Sequence, residues 1–151
     1  MRVTIPFLLA VLAVLAAAPV SAAPPDAFGV WLTADNEAAI EVQPCGANAC
    51  GRLVWYLEKR TGPDAGLDSK NPSPEQRGRR LCGITMLGGF KPTATGWENG
   101  WVYDPESGNT YSGAMEPDGP DRLRLRGYVG IPLFGRTEVW RRAPANQQRC
   151  R

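Results

Sequence analysis

Apolar residues in this chain alternate two residues at a time between turn signals, and nowhere recur at helical spacing over a useful length. The clearest case is 122–129 (RLRLRGYV), which puts Leu123 and Leu125 on one face and Arg124, Arg126 and Tyr128 on the other. A strand with one buried and one wetted face has this period. Similar short runs lie at 28–33, 40–44, 52–56, 84–90, 96–103, 110–116 and 136–142. Glycine, proline, asparagine and aspartate punctuate them, most plainly in Asp104-Pro105-Glu106-Ser107-Gly108-Asn109 and Pro117-Asp118-Gly119-Pro120. Eight short strands joined mostly by tight turns read as an antiparallel meander. An up-and-down barrel removes the edges of such a meander completely, and a sandwich is the alternative.

The front hairpin carries a second constraint. Cys45 and Cys50 bracket Gly46-Ala47-Asn48-Ala49, a small-residue turn between two alternating runs. Residues 1–22 have the form of an export leader: Arg2, an apolar stretch over 5–18, and Val20-Ser21-Ala22 before the expected cleavage point. That stretch falls short of the about 20 residues a spanning helix needs. The expectation is a periplasmic or secreted domain over 23–151, in which four cysteines suggest two disulfides with three possible pairings. The local pair Cys45–Cys50 is favoured, which leaves Cys82–Cys150.

Between the third and fourth strands, 57–81 loses the alternation and carries Gly62-Pro63, Pro72, Pro74 and the basic cluster Arg77, Arg79, Arg80. A connection this long is usually functional or flexible. Pro74-Glu75-Gln76-Arg77 suits one helical turn, with proline at its first position. The basic cluster reads as a solvated loop, with an anionic surface polymer as the sharper idea.

Composition excludes several chemistries. The chain has no histidine, which removes Ser-His-Asp and Cys-His catalysis and the commonest zinc ligand. Seventeen basic and fifteen acidic residues nearly balance, and the leader takes Arg2 with it, so no nucleic-acid footprint is expected. No metal or cofactor is called for. Gly127, Gly130 and Gly135 have no helix behind them, so they form no phosphate loop and instead allow a bend around Pro132.

Four blocks in order carry a resemblance: GVWLT (29–33), PCG…CGRLVW (44–55), YDPESGNTYS (103–112) and RGYVGIPLFGRTEVWRR (126–142). Together they resemble the domain-of-unknown-function family 2147, bacterial exported proteins. The resemblance implies a lipocalin-like (calycin) barrel. Cys82 departs from it, standing where an apolar residue is expected, so a Cys82–Cys150 bridge would be a local addition. Gly29-x-Trp31 also resembles the Gly-x-Trp of the first lipocalin strand, whose tryptophan closes the barrel floor beneath an arginine of the last strand. Here that arginine would be Arg141 or Arg142, or else Arg136, and Arg141 is taken forward as the structural residue.

Three functional readings follow. The leading one is a soluble binder of a small apolar or amphipathic ligand, without chemistry of its own. Its candidate lining is Trp97, Trp101, Tyr103, Tyr111 and Tyr128, with Arg52 and Arg126 beside them. The same aromatics could simply fill the core. Arginine inside a barrel needs a carboxylate or an anionic ligand, with Glu41 and Glu138 as candidate partners, and outward, solvated arginines are the simpler account. The second reading is a protein-interaction or envelope-maintenance module with a filled barrel. The third is a hydrolase using Asp104 and Glu106, against which Asp104 has a complete explanation in turn chemistry. No membrane span is expected, and any protein partner is left open.

Overall fold

The computed structural model describes residues 26–150, so the leader expected over 1–22 lies outside the described residues. Eight strands follow in chain order: β1 Gly29–Leu32, β2 Ala38–Cys45, β3 Asn48–Tyr56, β4 Thr85–Pro92, β5 Trp97–Asp104, β6 Asn109–Pro117, β7 Arg122–Tyr128 and β8 Arg136–Arg142. Each pairs antiparallel with its neighbours, and β8 returns to β1 to close the barrel. This is the up-and-down barrel that the alternation predicted, and the sandwich is excluded. Two one-turn 3-10 segments, Pro74–Gln76 and Pro132–Phe134, complete the regular structure, the first where proline was expected to start a helical turn. Among the described residues no helix is long and apolar enough to cross a membrane.

The register follows from the pattern. Trp31, Ile40, Val42, Leu53, Leu87, Phe90, Met115, Leu123 and Leu125 belong to one buried cluster, and their neighbours along the strands face out. Cys45–Cys50 closes the β2–β3 hairpin, and Cys82–Cys150 ties the long connection before β4 to the C-terminal tail, as predicted. The Cys150 N–H donates to the Val54 carbonyl at 2.7 Å, so the tail is laid against β3.

The long connection, residues 57–84, is ordered by its own hydrogen bonds. Asp68 N–H donates to the Arg79 carbonyl (3.0 Å) and Leu81 N–H to the Gly66 carbonyl (2.9 Å), around an isolated Leu67–Arg80 bridge. Compact loops that pack on their own side chains behave in this way.

Candidate functional site

One end of the barrel is shut by Trp31. Its indole N–H donates to the Ala27 carbonyl at 2.9 Å, and the Arg142 guanidinium lies 4.1 Å above its ring. Arg142 also donates to the Phe28 carbonyl (3.0 Å) and the Pro120 carbonyl (2.6 Å). The residue at Gly29 must be glycine twice over: φ is +119°, and a Cβ there would sit 2.5 Å from Arg142 Nη1. The arginine over the tryptophan is therefore Arg142 and not Arg141. Alternation explains the difference, because Arg142 shares the face of the buried Trp140, whereas Arg141 points outward and donates to the Asn36 amide oxygen.

The middle of the barrel is filled. Phe90 is fully buried, and the Gly100 and Gly113 positions leave the space its ring occupies: a Cβ on either would press into it. Gly51 does the same for Leu87, whose Cδ1 would be 2.7 Å from an added Cβ. Glycine on the neighbouring strands beside a large inward side chain is a jigsaw fit.

The seven residues expected to line a ligand site do not share this interior. Trp97 is buried and meets Phe28 with ring centroids 5.4 Å apart. Tyr111, half-buried, pairs with Val102 on the inward face. Simple alternation from Trp97 would turn Trp101 and Tyr103 inward as well. A bulge between Trp97 and Gly100, with Asn99 at φ 57°, shifts the phase by one residue. Gly100 faces in instead, and Trp101 and Tyr103 go to the outer face. Trp101 lies over Gly88, and its neighbour across the next strand pair is Tyr128, reached through Ser112. Arg52 sits opposite Glu41 on the outer face and donates to the Gly83 carbonyl at 3.2 Å. Glu41 takes a two-pronged contact from Arg149 instead (2.7 and 3.0 Å), which holds its carboxyl below the usual range. Glu138 accepts from the Trp140 indole at 3.0 Å.

Tyr103 is outward yet buried, because the 57–84 connection covers it. Its hydroxyl donates to Asp68 at 2.6 Å, and Asp68 itself is fully buried. Asn71 Nδ2 (2.8 Å), Arg79 Nε (2.9 Å) and Arg79 Nη2 (2.8 Å) donate to the same carboxylate. Burial, with the hydrogen bond to Asp68, pushes the Tyr103 phenol up to about 12. Every polar atom of this cluster is used, so it reads as a latch. Nothing local in the sequence announces it, since Asp68 and Tyr103 are 35 residues apart.

Asp104 and Glu106 do what the turn requires. Asp104 Oδ1 accepts the Glu106 N–H (2.9 Å) and Oδ2 accepts the Ser107 hydroxyl (2.6 Å). Two depressions stand out among the described residues, and both open on the outside. One of about 120 Å³ runs between Glu98, Glu116, Arg124, Arg126 and Thr137, and a broad one of about 600 Å³ lies between Trp55, Tyr56, Glu58 and the 148–150 tail. Among the described residues no cluster of histidine, cysteine and carboxylate side chains could hold a metal ion.

The feature that stands apart is the β7–β8 connection, 129–135. Among the described residues seven large apolar side chains are exposed, and four of them, Val129 (73%), Ile131 (52%), Leu133 (76%) and Phe134 (77%), are in this one short segment. Arg126, at its base, reaches up to the Pro132 carbonyl (2.7 Å), the Leu133 carbonyl (3.3 Å) and Thr137 Oγ1 (2.7 Å). The bend expected around Pro132 is present as a 3-10 turn. Its apolar content was visible in GIPLFG, but the outward direction of the side chains was not.

One solved structure that matches, described as "Protein HP1028 from the human pathogen Helicobacter pylori belongs to the lipocalin family", has a TM-score of 0.69 at 18% identity, over 80% of this chain and 84% of that one. Comparison with curated proteins finds no match. The family profile described as "Uncharacterized protein conserved in bacteria (DUF2147)" matches residues 29–142, from the first strand to the last. By that match the chain belongs to the DUF2147 family of bacterial proteins, and its fold is a lipocalin-like barrel.

Proposed function

We propose that this protein is a non-catalytic binding module of the bacterial envelope that works from its outer surface and loops, with its barrel as a filled scaffold. The observation that carries this reading is Phe90 seated across Gly100 and Gly113, which occupies the place where a lumenal ligand would lie. Export to the periplasm is supported by the leader-like sequence of 1–22, by four cysteines closed into two disulfides, and by a family of bacterial proteins. The absence of chemistry is supported by the lack of histidine and by the engagement of Asp104 in its own turn. The near balance of charge supports the absence of a nucleic-acid partner.

A small apolar or amphipathic ligand in the barrel is the second reading. It is favoured by the lipocalin-like fold and by Trp97 and Tyr111 on the inward face, and it requires Phe90 to move. Titration with a small apolar fluorophore separates the two. The wild-type chain is expected to show no saturable uptake, whereas Phe90→Ala, which empties the centre, gains it. The same substitution is expected to cost about 4 kcal/mol in chemical denaturation. Saturable uptake by the wild-type chain, competing with nothing on the surface, would return the function to the lumen.

A further inference from the structure

The 129–135 tip is built for a particular kind of surface. Four apolar side chains project from it with no polar side chain among them. Each of the four is more than half exposed, so the tip offers projecting side chains and no walled groove for a peptide. It is also held in one shape. Pro132 fixes a 3-10 turn, Phe134 N–H donates to the Ile131 carbonyl (3.3 Å), and Gly135 N–H donates to the Pro132 carbonyl (3.0 Å). Arg126 takes the Pro132 and Leu133 carbonyls from below. The carbonyls of Ile131, Pro132 and Leu133 are thus all satisfied within the protein. In water that provision would be unnecessary, but a segment entering a water-poor layer needs it.

Charge names the layer. From Arg122 to Arg142 the chain carries six arginines and one acid, Glu138. Arg122 is engaged by Asp118 at 3.2 Å, and Arg124 has Glu116 opposite it in register. The two cations nearest the tip in sequence are then Arg126, on the outer face of β7, and Arg136, which opens β8 opposite Gly127 on the lumenal side and is exposed at the barrel mouth. A guanidinium has five N–H donors, and Arg126 spends three on the tip and on Thr137, leaving two to offer. An apolar tip with arginines at its base is the chemistry of an interfacial anchor on an anionic bilayer. The barrel's outer face, with Glu41, Arg52, Lys91 and Glu98 on it, suits a body that sits on a bilayer and does not span it.

We infer that Val129, Ile131, Leu133 and Phe134 insert into the headgroup region of an anionic phospholipid membrane, with Arg126 and Arg136 against the lipid phosphates. This deepens the surface-binding reading and rests on it. The two fail separately, because fluorophore uptake in the lumen is measured without any membrane.

The test is flotation of the chain, purified after export from its own leader with processing checked by intact mass. The vesicles are one part phosphatidylglycerol to two parts phosphatidylcholine, and phosphatidylcholine alone. Binding to the anionic vesicles is expected, weakened by salt. The double variant Leu133→Ser/Phe134→Ser is expected to lose at least about tenfold in partitioning, and Arg136→Gln about fivefold on anionic vesicles only. All three side chains are exposed, so unchanged circular dichroism and thermal unfolding certify the variants. Absence of binding to anionic vesicles, or binding that the double variant leaves unchanged, overturns the proposal. So does tip-dependent capture of a protein while vesicles stay unbound.

Discussion

The two irregular connections at the same end of the barrel, 57–84 and 129–135, are opposites. The first is long, rich in proline and charge, and turned inward. It buries Leu81 and Ile84, hides an ionisable Asp68 completely, and is tied by Cys82 to the tail. The second is short, apolar, and turned outward, with Leu133 and Phe134 each more than three-quarters exposed. A polar loop that buries a carboxylate and an apolar loop that exposes its side chains both invert the usual partition. The first inversion is compensated within the molecule by four hydrogen bonds to Asp68. The second has no such compensation among the described residues, which is why function is sought there.

Removing the carboxylate is the severest way to break that contrast. Asp68→Ala leaves Tyr103 Oη–H, Asn71 Nδ2 and the Arg79 guanidinium without their acceptor. The expected loss is about 3 kcal/mol in urea or guanidinium denaturation. A loss of a few tenths would mean that the long connection is draped on the barrel and not latched to it.

Alkali probes the same contact more gently. The Tyr103 phenol is raised from its ordinary 10.0 to about 12, by burial first and by its bond to Asp68 second. With the folded pKa above the unfolded one, the contribution is fully present below pH 10 and is lost as pH climbs toward 12. Denaturation midpoints across that window are expected to fall, and Tyr103→Phe is expected to flatten the part of the fall due to this residue. An unaltered slope in Tyr103→Phe would remove the phenol from the latch.

The smallest expected effect sharpens the other side. Leu133→Ser/Phe134→Ser is expected to change stability by no more than about 0.5 kcal/mol, since exposed side chains away from packing rarely do more. A loss comparable to that of Asp68→Ala would show the tip to be part of the core after all.

Much of the barrel was legible because half-buried strands write their two faces into the sequence. RLRLRGY gives β7, and the PCG…CG block gives the β2–β3 hairpin with its disulfide. The floor was nearly legible: Gly29 and Trp31 were right, and anchoring the alternation of β8 on Trp140 selects Arg142 over Arg141. The candidate lining was legible in part: the alternation of β7 already sets Arg126 and Tyr128 opposite the buried Leu123 and Leu125, but the faces of Trp101 and Tyr103 were hidden, for a specific reason. One extra residue in β5, with Asn99 in the left-handed region, reverses the faces of Trp101 and Tyr103. A pattern read without its bulge predicts the wrong side. The Asp68 latch depends on chain segments that only the closed barrel brings together, so no local signal precedes it. At the tip the residues were plain, but whether apolar residues in a bend tuck in or stand out is decided by the packing around them. Here Arg126 and Pro132 decide it.

The central claim is that the barrel is a packed scaffold and that binding belongs to its exterior. Native mass spectrometry of the protein taken from its own envelope tests this most directly. The account expects the bare processed chain carrying two disulfides. A stoichiometric small-molecule adduct that persists in Leu133→Ser/Phe134→Ser and is lost in a variant that enlarges Gly100 or Gly113 would contradict it.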